Sequence, residues 1–341
     1  MGSNITALLK TKETKLEDLK NKTLAVDAFN TLYMFLTTIR GPDGTPLSDS
    51  KGNMTSHLIG ILSRFINYKE QGIDFIFVFD GKPPELKSTE RERRKTLKVK
   101  AREAFDEAKK QNDVQNMKKY AARATFLNKE MIDDAKELLT LMGIKIYQSP
   151  SEGEAQAAQF VKEGKAYAVL SQDADALLAG APRVIKNLSI SGKRKKPKSY
   201  SYETVYPEII HLKENLDNLN ITQDKLIALA MLVGTDYNYG GIKGIGPKKA
   251  LKLITQNNIA DAFDKAKFDD KSETSWKEIY EVIKSIKIDK NVVPKKQKFN
   301  PAEFKKFLEN REFSEKRIEN YSSRLKKLNE QGKQEGLNSF F

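Results

Sequence analysis

Short apolar runs that stop at an acidic residue alternate with longer stretches of helical period through the first two hundred residues of the chain. Residues 23–29, 73–80, 144–148, 166–171 and 183–189 read as strands, while residues 55–70 and 129–142 carry the apolar spacing of amphipathic helices. This order predicts an α/β fold, a mostly parallel sheet flanked by helices. Three of the strand runs end in acid: Thr23-Leu-Ala-Val-Asp27, Phe75-Ile-Phe-Val-Phe-Asp80 and Ala166-Tyr-Ala-Val-Leu-Ser-Gln-Asp173. In an open parallel sheet the carboxyl ends of the strands share one edge, and ligands bind there.

The stretch from residue 88 to 126 breaks the alternation with helix formers, charges at most positions and few apolar residues, Leu97, Val99, Ala101 and Phe105 among them. Its bland reading is a solvated helix pair on the surface. Residues 82–130 hold 15 Lys and Arg against 8 Asp and Glu, so half of the chain's formal charge of +14 sits there. A helical insertion this basic could also overhang an acidic site and thread nucleic acid. After Asp236 the chain is helical and basic, with no repeat and no linker that forces a second domain.

The 341 residues contain no cysteine and two histidines, His57 and His211. Disulfides, thiolate zinc sites, cysteine catalysis and a three-histidine metal site are thereby excluded. No apolar stretch approaches the roughly 20 residues that span a bilayer, and the chain reads as cytoplasmic. Asp27, Asp80, Glu152, Glu154, Asp173, Asp175 and Asp236 all stand where apolar runs stop. Grouped at one edge they would repel one another unless cations filled the site, and oxygen-only ligands favour Mg²⁺ or Mn²⁺. Two such ions about 4 Å apart are the usual machinery for phosphodiester hydrolysis.

Each motif also has a plainer explanation. Ser151-Glu-Gly-Glu154 is a capping box, which would account for Glu154 without a metal but not for Glu152 or for the intervening Gly153. Lys87 and Arg94 fall two turns apart on one helix face and could hold a scissile phosphate, or be ordinary solvated cations. Gly241-Ile-Lys-Gly-Ile-Gly-Pro-Lys-Lys-Ala250 reads as a helix–hairpin–helix whose Lys243, Gly244, Gly246, Lys248 and Lys249 meet duplex phosphates, or as a glycine-rich turn between helices. Gly192-Lys-Arg-Lys-Lys-Pro-Lys198 reads as a basic turn near DNA. At the end, Gln334, Leu337, Phe340 and Phe341 form an apolar anchor of the kind that fills a partner's pocket, or an accidental apolar tail.

Together these blocks resemble the structure-specific 5′ nucleases, and most closely the archaeal and eukaryotic flap endonucleases. The resemblance is carried, in order, by Ala25-Val-Asp-Ala-Phe-Asn30, Val78-Phe-Asp-Gly-Lys-Pro-Pro84, Pro150-Ser-Glu-Gly-Glu-Ala155, Ser171-Gln-Asp-Ala-Asp175, Gly234-Thr-Asp-Tyr-Asn238 and Gly244-Ile-Gly-Pro247. It implies two Mg²⁺ ions, replaceable by Mn²⁺, with Asp27, Asp80, Glu152 and Glu154 serving one and Asp173, Asp175 and Asp236 the other. It further implies Lys87 and Arg94 as catalytic cations, Tyr33 as a stacking surface for a base, Arg40 and Arg64 as DNA contacts, and K⁺ at the hairpin. The expected protein is a monomer when free, with branched 5′-flap DNA and the ring-shaped sliding clamp as partners. The expected organisation is one nuclease domain over residues 1–330. Within it the N-terminal part reaches about residue 98, the helical arch spans about 83–128, the internal part 129–258 and the helical C-terminal part 259–330. A flexible clamp-binding tail fills residues 331–341. A 5′–3′ exonuclease, a junction resolvase and a non-catalytic DNA-binding adaptor are the competing functions at this stage.

Overall fold

The computed structural model describes residues 4–42, 44–188, 193–195, 202–295 and 297–338, with backbone alone for residues 4, 193–195, 202–204 and 332–338. Its strands are β1 (Lys12–Glu13), β2 (Thr23–Asp27), β3 (Asp74–Phe79), β4 (Lys145–Gln148), β5 (Ala168–Leu170), β6 (Arg183–Lys186), β7 (Lys193–Lys195), β8 (Tyr202–Thr204) and β9 (Glu208–His211). Helices α1 (Ala28–Thr38), α2 (Ser56–Glu70), α3 (Ser88–Lys110), α4 (Val114–Ala124), α5 (Lys129–Leu141), α6 (Gly153–Lys162) and α7 (Asp175–Leu178) lie among them. Then come α8 (Leu212–Leu219), α9 (Gln223–Val233), α10 (Pro247–Gln256), α11 (Ile259–Ala266), α12 (Phe268–Lys271), α13 (Trp276–Lys284), α14 (Pro301–Glu309) and α15 (Glu315–Asn338).

Seven strands form one sheet in the order β1-β9-β6-β5-β2-β3-β4. The five from β6 to β4 are parallel, as their unbroken apolar runs require, whereas β9 and β1 extend the sheet antiparallel. The sheet is therefore mixed. The antiparallel edge was illegible because Lys12-Glu13 and Glu208-Ile-Ile-His211 are too short to show a period. From β2 the chain builds outward to β3 and β4, then returns to place β5 and β6 on the other side of β2. Strand order thus reverses at β2, the position where doubly wound sheets open a crevice.

Side chains of the central strands alternate between two cores, as the period of a strand demands. Leu24, Val26, Phe75, Phe77 and Leu170 face a layer of α1, α2, α5, α14 and α15, where Phe65 meets Phe75 and Phe77 edge-on at 4.7 Å. Ala25, Ile76, Val78 and Val169 face the opposite layer of α6 to α13. Gly60 lets α2 pass close to α1, since a Cβ there would lie 2.2 Å from the Phe35 ring.

The arch α3–α4 stands apart with a small core of its own, Phe105, Ala108, Met117 and Ala121. Leu97 and Val99 stay half exposed, which agrees with the sparse apolar pattern of this stretch. The backbone of α15 runs on through Gln331 and Gly332 to Asn338, where the sequence pattern suggested a break. Its Lys, Glu and Gln residues favour helix enough to carry two glycines, Gly332 and Gly336, at about 1 kcal/mol each. No helix among the described residues is long and apolar enough to cross a membrane.

Candidate active site

The carboxyl edge of the sheet gathers acids from several elements. Asp27 closes β2 and caps α1, accepting the Asn30 backbone N–H at 3.0 Å. Asp80 follows β3, and its Oδ1 accepts the Gly153 backbone N–H at 2.6 Å. This contact explains Gly153, because a Cβ there would stand 2.7 Å from that same oxygen. It also overturns the capping box. The N-cap of α6 is Glu152, with no side-chain cap bond, and Glu154 sits in the first turn as an acid near the helix's positive end. Ser151 lies one residue before the cap, its N–H turned back to Ser149 Oγ at 3.3 Å, and neither glutamate side chain caps the helix.

Two small networks tie the acids together. In the first, Ser171 Oγ lies 3.0 Å from Glu154 and 3.4 Å from Asp27, and Asn30 Nδ2 donates to Asp173 at 2.9 Å. In the second, Lys87 joins Glu152 directly and Asp236 at 3.4 Å, while the Tyr237 hydroxyl donates to Glu152 at 3.0 Å. Asp175 opens α7 and lines one cleft with Lys87, Glu152, Glu154, Asp236 and Tyr237, walled by Ile283 and Ile286.

Electrostatics reflect this crowding. Burial, then the charge of Asp80, pushes Asp27 up to about 7, and burial with the charges of Asp27, Asp175 and Asp173 holds Glu154 well above the usual carboxylate range. Displaced water raises Asp80 as well, against the Gly153 hydrogen bond. Burial would lower Lys87, yet Glu152 and Asp236 outweigh it and leave the ammonium above its ordinary value. Among the described residues, no three acids converge at metal-ligand spacing. Lys87 and Arg94 neutralise part of the cluster instead.

Those cations belong to the foot of the arch. Lys87 ends the turn before α3 and lies 5.1 Å over the Tyr237 ring. Nearly two turns into α3, Arg94 reaches Asp236 with one end and Glu90 with the other, the latter at 2.7 Å. The second foot, past α4, is held from α1. Tyr33 donates its hydroxyl to the Thr125 carbonyl at 3.2 Å, and Lys98 of α3 lies 4.8 Å over the Tyr33 ring. Arg40 donates to Thr125 Oγ1 at 2.6 Å and to the carbonyls of Thr37 and Gly44, so its guanidinium is engaged within the protein. Arg64 sits half-buried on α2 with its Nε unpaired.

The hairpin presents Lys243, Gly244, Gly246, Lys248 and Lys249 to solvent while Ile242 and Ile245 anchor it below. Gly246 caps α10, whose first residue is Pro247, and Gly244 takes a φ of 84°. No side chain caps the N–H groups at this helix start, which open onto a cleft beside Ala7 and Leu8. Of the basic run 192–198, β7 pairs antiparallel with β8 through residues 193–195, and the remainder lies outside the described residues. Gln334 and Leu337 enter only as backbone of α15, and Phe340 and Phe341 lie outside the described residues.

Sequence patterns did not single out Asn30, Ser171, Glu90, Arg93, Tyr237 or Tyr239. Only Glu90 had a readable signal, its spacing of three and four residues from Arg93 and Arg94.

The chain matches the XPG N-terminal domain over residues 3–101 and the XPG I-region over residues 143–236. Fold and matches together define a nuclease of the XPG type, a phosphodiester hydrolase. The chain is 47% identical over 342 residues to flap endonuclease 1 of Pyrococcus furiosus, covering 100% of this chain and 99% of that one. Flap endonuclease 1 of Methanocella arvoryzae is 44% identical with 100% of both chains covered. The solved flap endonuclease-1 from Methanococcus jannaschii superposes with a TM-score of 0.76 at 38% identity, over 97% of this chain and 100% of that one. The chain belongs to the flap endonuclease family.

Proposed function

We propose that this chain is a divalent-metal-dependent endonuclease that cuts a phosphodiester near the junction of duplex DNA and a single-stranded 5′ flap, in replication and repair. The observation that carries the reading is the meeting of Lys87 and Arg94, from the arch, with Glu152 and Asp236 at the acidic edge of the sheet. It brings the two groups suited to a phosphate to the acidic edge.

The residues fit Mg²⁺ by their chemistry, since every donor is an oxygen, and a bound cation would favour the ionised forms of Asp27 and Glu154 that burial opposes. Asp27, Asp80, Glu152, Glu154, Asp173, Asp175 and Asp236 would hold two such ions, with Mn²⁺ as substitute. When bound, the pair supplies an ionised water at neutral pH and charge for the leaving oxygen. The chain's own part is separate. Lys87 and Arg94 stabilise charge building on the scissile phosphate, for which Lys87 must leave Glu152 and Asp236 and Arg94 must leave Asp236 while it stays on Glu90. Tyr33, at the arch's second foot, offers a ring face to a base. The hairpin, with K⁺, grips duplex phosphates without reading sequence. Arg40 and Arg64 lie on the DNA side in this reading, and Gln334, Leu337, Phe340 and Phe341 bind the sliding clamp.

The test is digestion of a labelled double-flap DNA with Mg²⁺ or with chelator, alongside gapped and four-way substrates. The expected result is metal-dependent release of the intact flap. Stepwise mononucleotides, paired cuts in the four-way junction or no cutting would assign the chain to exonuclease, resolvase or adaptor in turn.

A further inference from the structure

Arg94 is a long side chain on an exposed arch, and something must hold it over the acidic edge. Glu90, only 6% exposed in the first turn of α3, accepts both Nε and a terminal nitrogen of Arg93, at 2.6 and 2.9 Å, and Nε of Arg94 at 2.7 Å. A single buried carboxylate therefore fixes two neighbouring guanidinium groups. Arg93 in turn lies flat on Tyr239, its guanidinium carbon 3.5 Å from the ring centre. Tyr239 is 61% exposed and contributes little to either core, so packing does not account for an aromatic there. It stands three residues after Asp236, which Arg94 grips with its free end.

These contacts close a ring: Glu90 to Arg93, Arg93 to Tyr239, along the backbone to Asp236, back through Arg94 to Glu90. Just beyond Tyr239, Gly240 and Gly241 take φ values of 80° and 58° and turn the chain into the hairpin. The ring thus couples the arch foot to the segment that joins the acid site and the hairpin.

We propose that Glu90, Arg93 and Tyr239 form a clasp that positions Arg94 for the cleavage step. The clasp rests on the reading that Arg94 acts at the scissile phosphate. Tyr239 is a positioning residue, touching neither phosphate nor metal, and its effect passes through Arg94. Arg93 already covers one face of its ring.

Single-turnover cleavage of flap DNA at saturating enzyme, with Mg²⁺, tests this in six variants. Tyr239→Ala is expected to slow the rate roughly tenfold and Tyr239→Phe by less than about threefold, as loss or retention of a guanidinium–ring stack predicts. Arg93→Ala should match Tyr239→Ala, the double variant of the two should be no slower, and the dissociation constant for flap DNA should not move. In an Arg94→Ala chain, itself slow, adding Tyr239→Ala should change nothing further. A wild-type rate for Tyr239→Ala would overturn the clasp while leaving Arg94 catalytic. An equal slowing by Tyr239→Ala with and without Arg94, or a weaker affinity at unchanged rate, would also overturn it. Fast cleavage by Arg94→Ala alone would instead refute the role of Arg94, and the clasp would fall with it.

Discussion

At the scale of single residues, the two functions of a carboxylate separate cleanly. Asp80 follows β3 and Asp175 opens α7, and neither fills part of a core, so Asp80→Ala or Asp175→Ala should cut the rate by about a hundredfold or more at saturating Mg²⁺. The melting temperature should stay near that of the parent, and near-parental turnover would exclude these residues as ligands. Lys87→Ala should lower the single-turnover rate by about a hundredfold with little change in duplex affinity, since its charge matters most in the transition state. A loss confined to affinity would make it a steering charge. His57 shows what an ionisable group does away from the site. It is fully buried on α2, neither ring nitrogen is hydrogen-bonded, and burial lowers it from 6.5 to about 4, with Asp134 raising and Arg311 lowering it by smaller amounts. Asp134 and Arg311 are themselves paired, the Nε contact being 3.1 Å. The unfolded chain binds the proton first as pH falls, so stability is whole above 6.5 and is lost progressively down to about pH 4. The loss reaches about 3 kcal/mol by linkage. Urea unfolding of the parent and of His57→Phe across this range should show the difference, and parallel curves would refute it.

At the scale of elements, the hairpin is the clearest case of local sequence deciding local structure. Gly241 is required because a Cβ would meet the Val233 carbonyl carbon at 2.3 Å, and Pro247 starts α10 where a missing N–H costs nothing. Exposed Lys243 and Lys248 flank it, so replacing both with Ala should weaken binding to any duplex sequence alike and reduce the salt slope by about two. Titration at several salt concentrations checks this, and an unchanged slope would remove the hairpin from the interface. The parallel strands β2, β3 and β5 were equally legible, since apolar runs buried on both faces need no partner to be recognised. The antiparallel strands β1 and β9 were not, because Lys12-Glu13 and Glu208-Ile-Ile-His211 sit in no longer apolar run and their pairing comes from the rest of the sheet. The same limit explains the site. The acids were visible as run-ends, whereas Asn30 reaches Asp173, Ser171 reaches Asp27 and Tyr237 reaches Glu152 across 85 or more residues of chain, which no local pattern reports. The start of α6 shows local pattern losing to tertiary contact. Ser151 and Glu154 have the right spacing for a capping box, but the Gly153 N–H finds Asp80 instead and the helix begins one residue later.

At the scale of the whole molecule, the sheet separates the hairpin helix from the helix that leads to the C-terminus. The hairpin helix α10 packs in one helical layer, whereas α15 packs in the other, where Arg324 reaches across to Glu70 of α2 at 2.6 Å. The acidic edge lies between them at the strand ends. A partner bound beyond α15 therefore needs no contact with either the arch or the hairpin in order to bring the enzyme to DNA. The terminal residues Leu337, Phe340 and Phe341 are apolar in a polar stretch, and buried aromatics of this kind contribute about 2 kcal/mol or more apiece to a partner interface. Phe340→Ala with Phe341→Ala should accordingly abolish binding to the purified clamp in calorimetry and remove its stimulation of cleavage, while flap cutting without clamp keeps the parental rate. Stimulation that survives the double substitution would place the clamp contact elsewhere on the chain. A basal rate that falls with it would mean that the tail returns to the acidic edge, against the separation of the two layers.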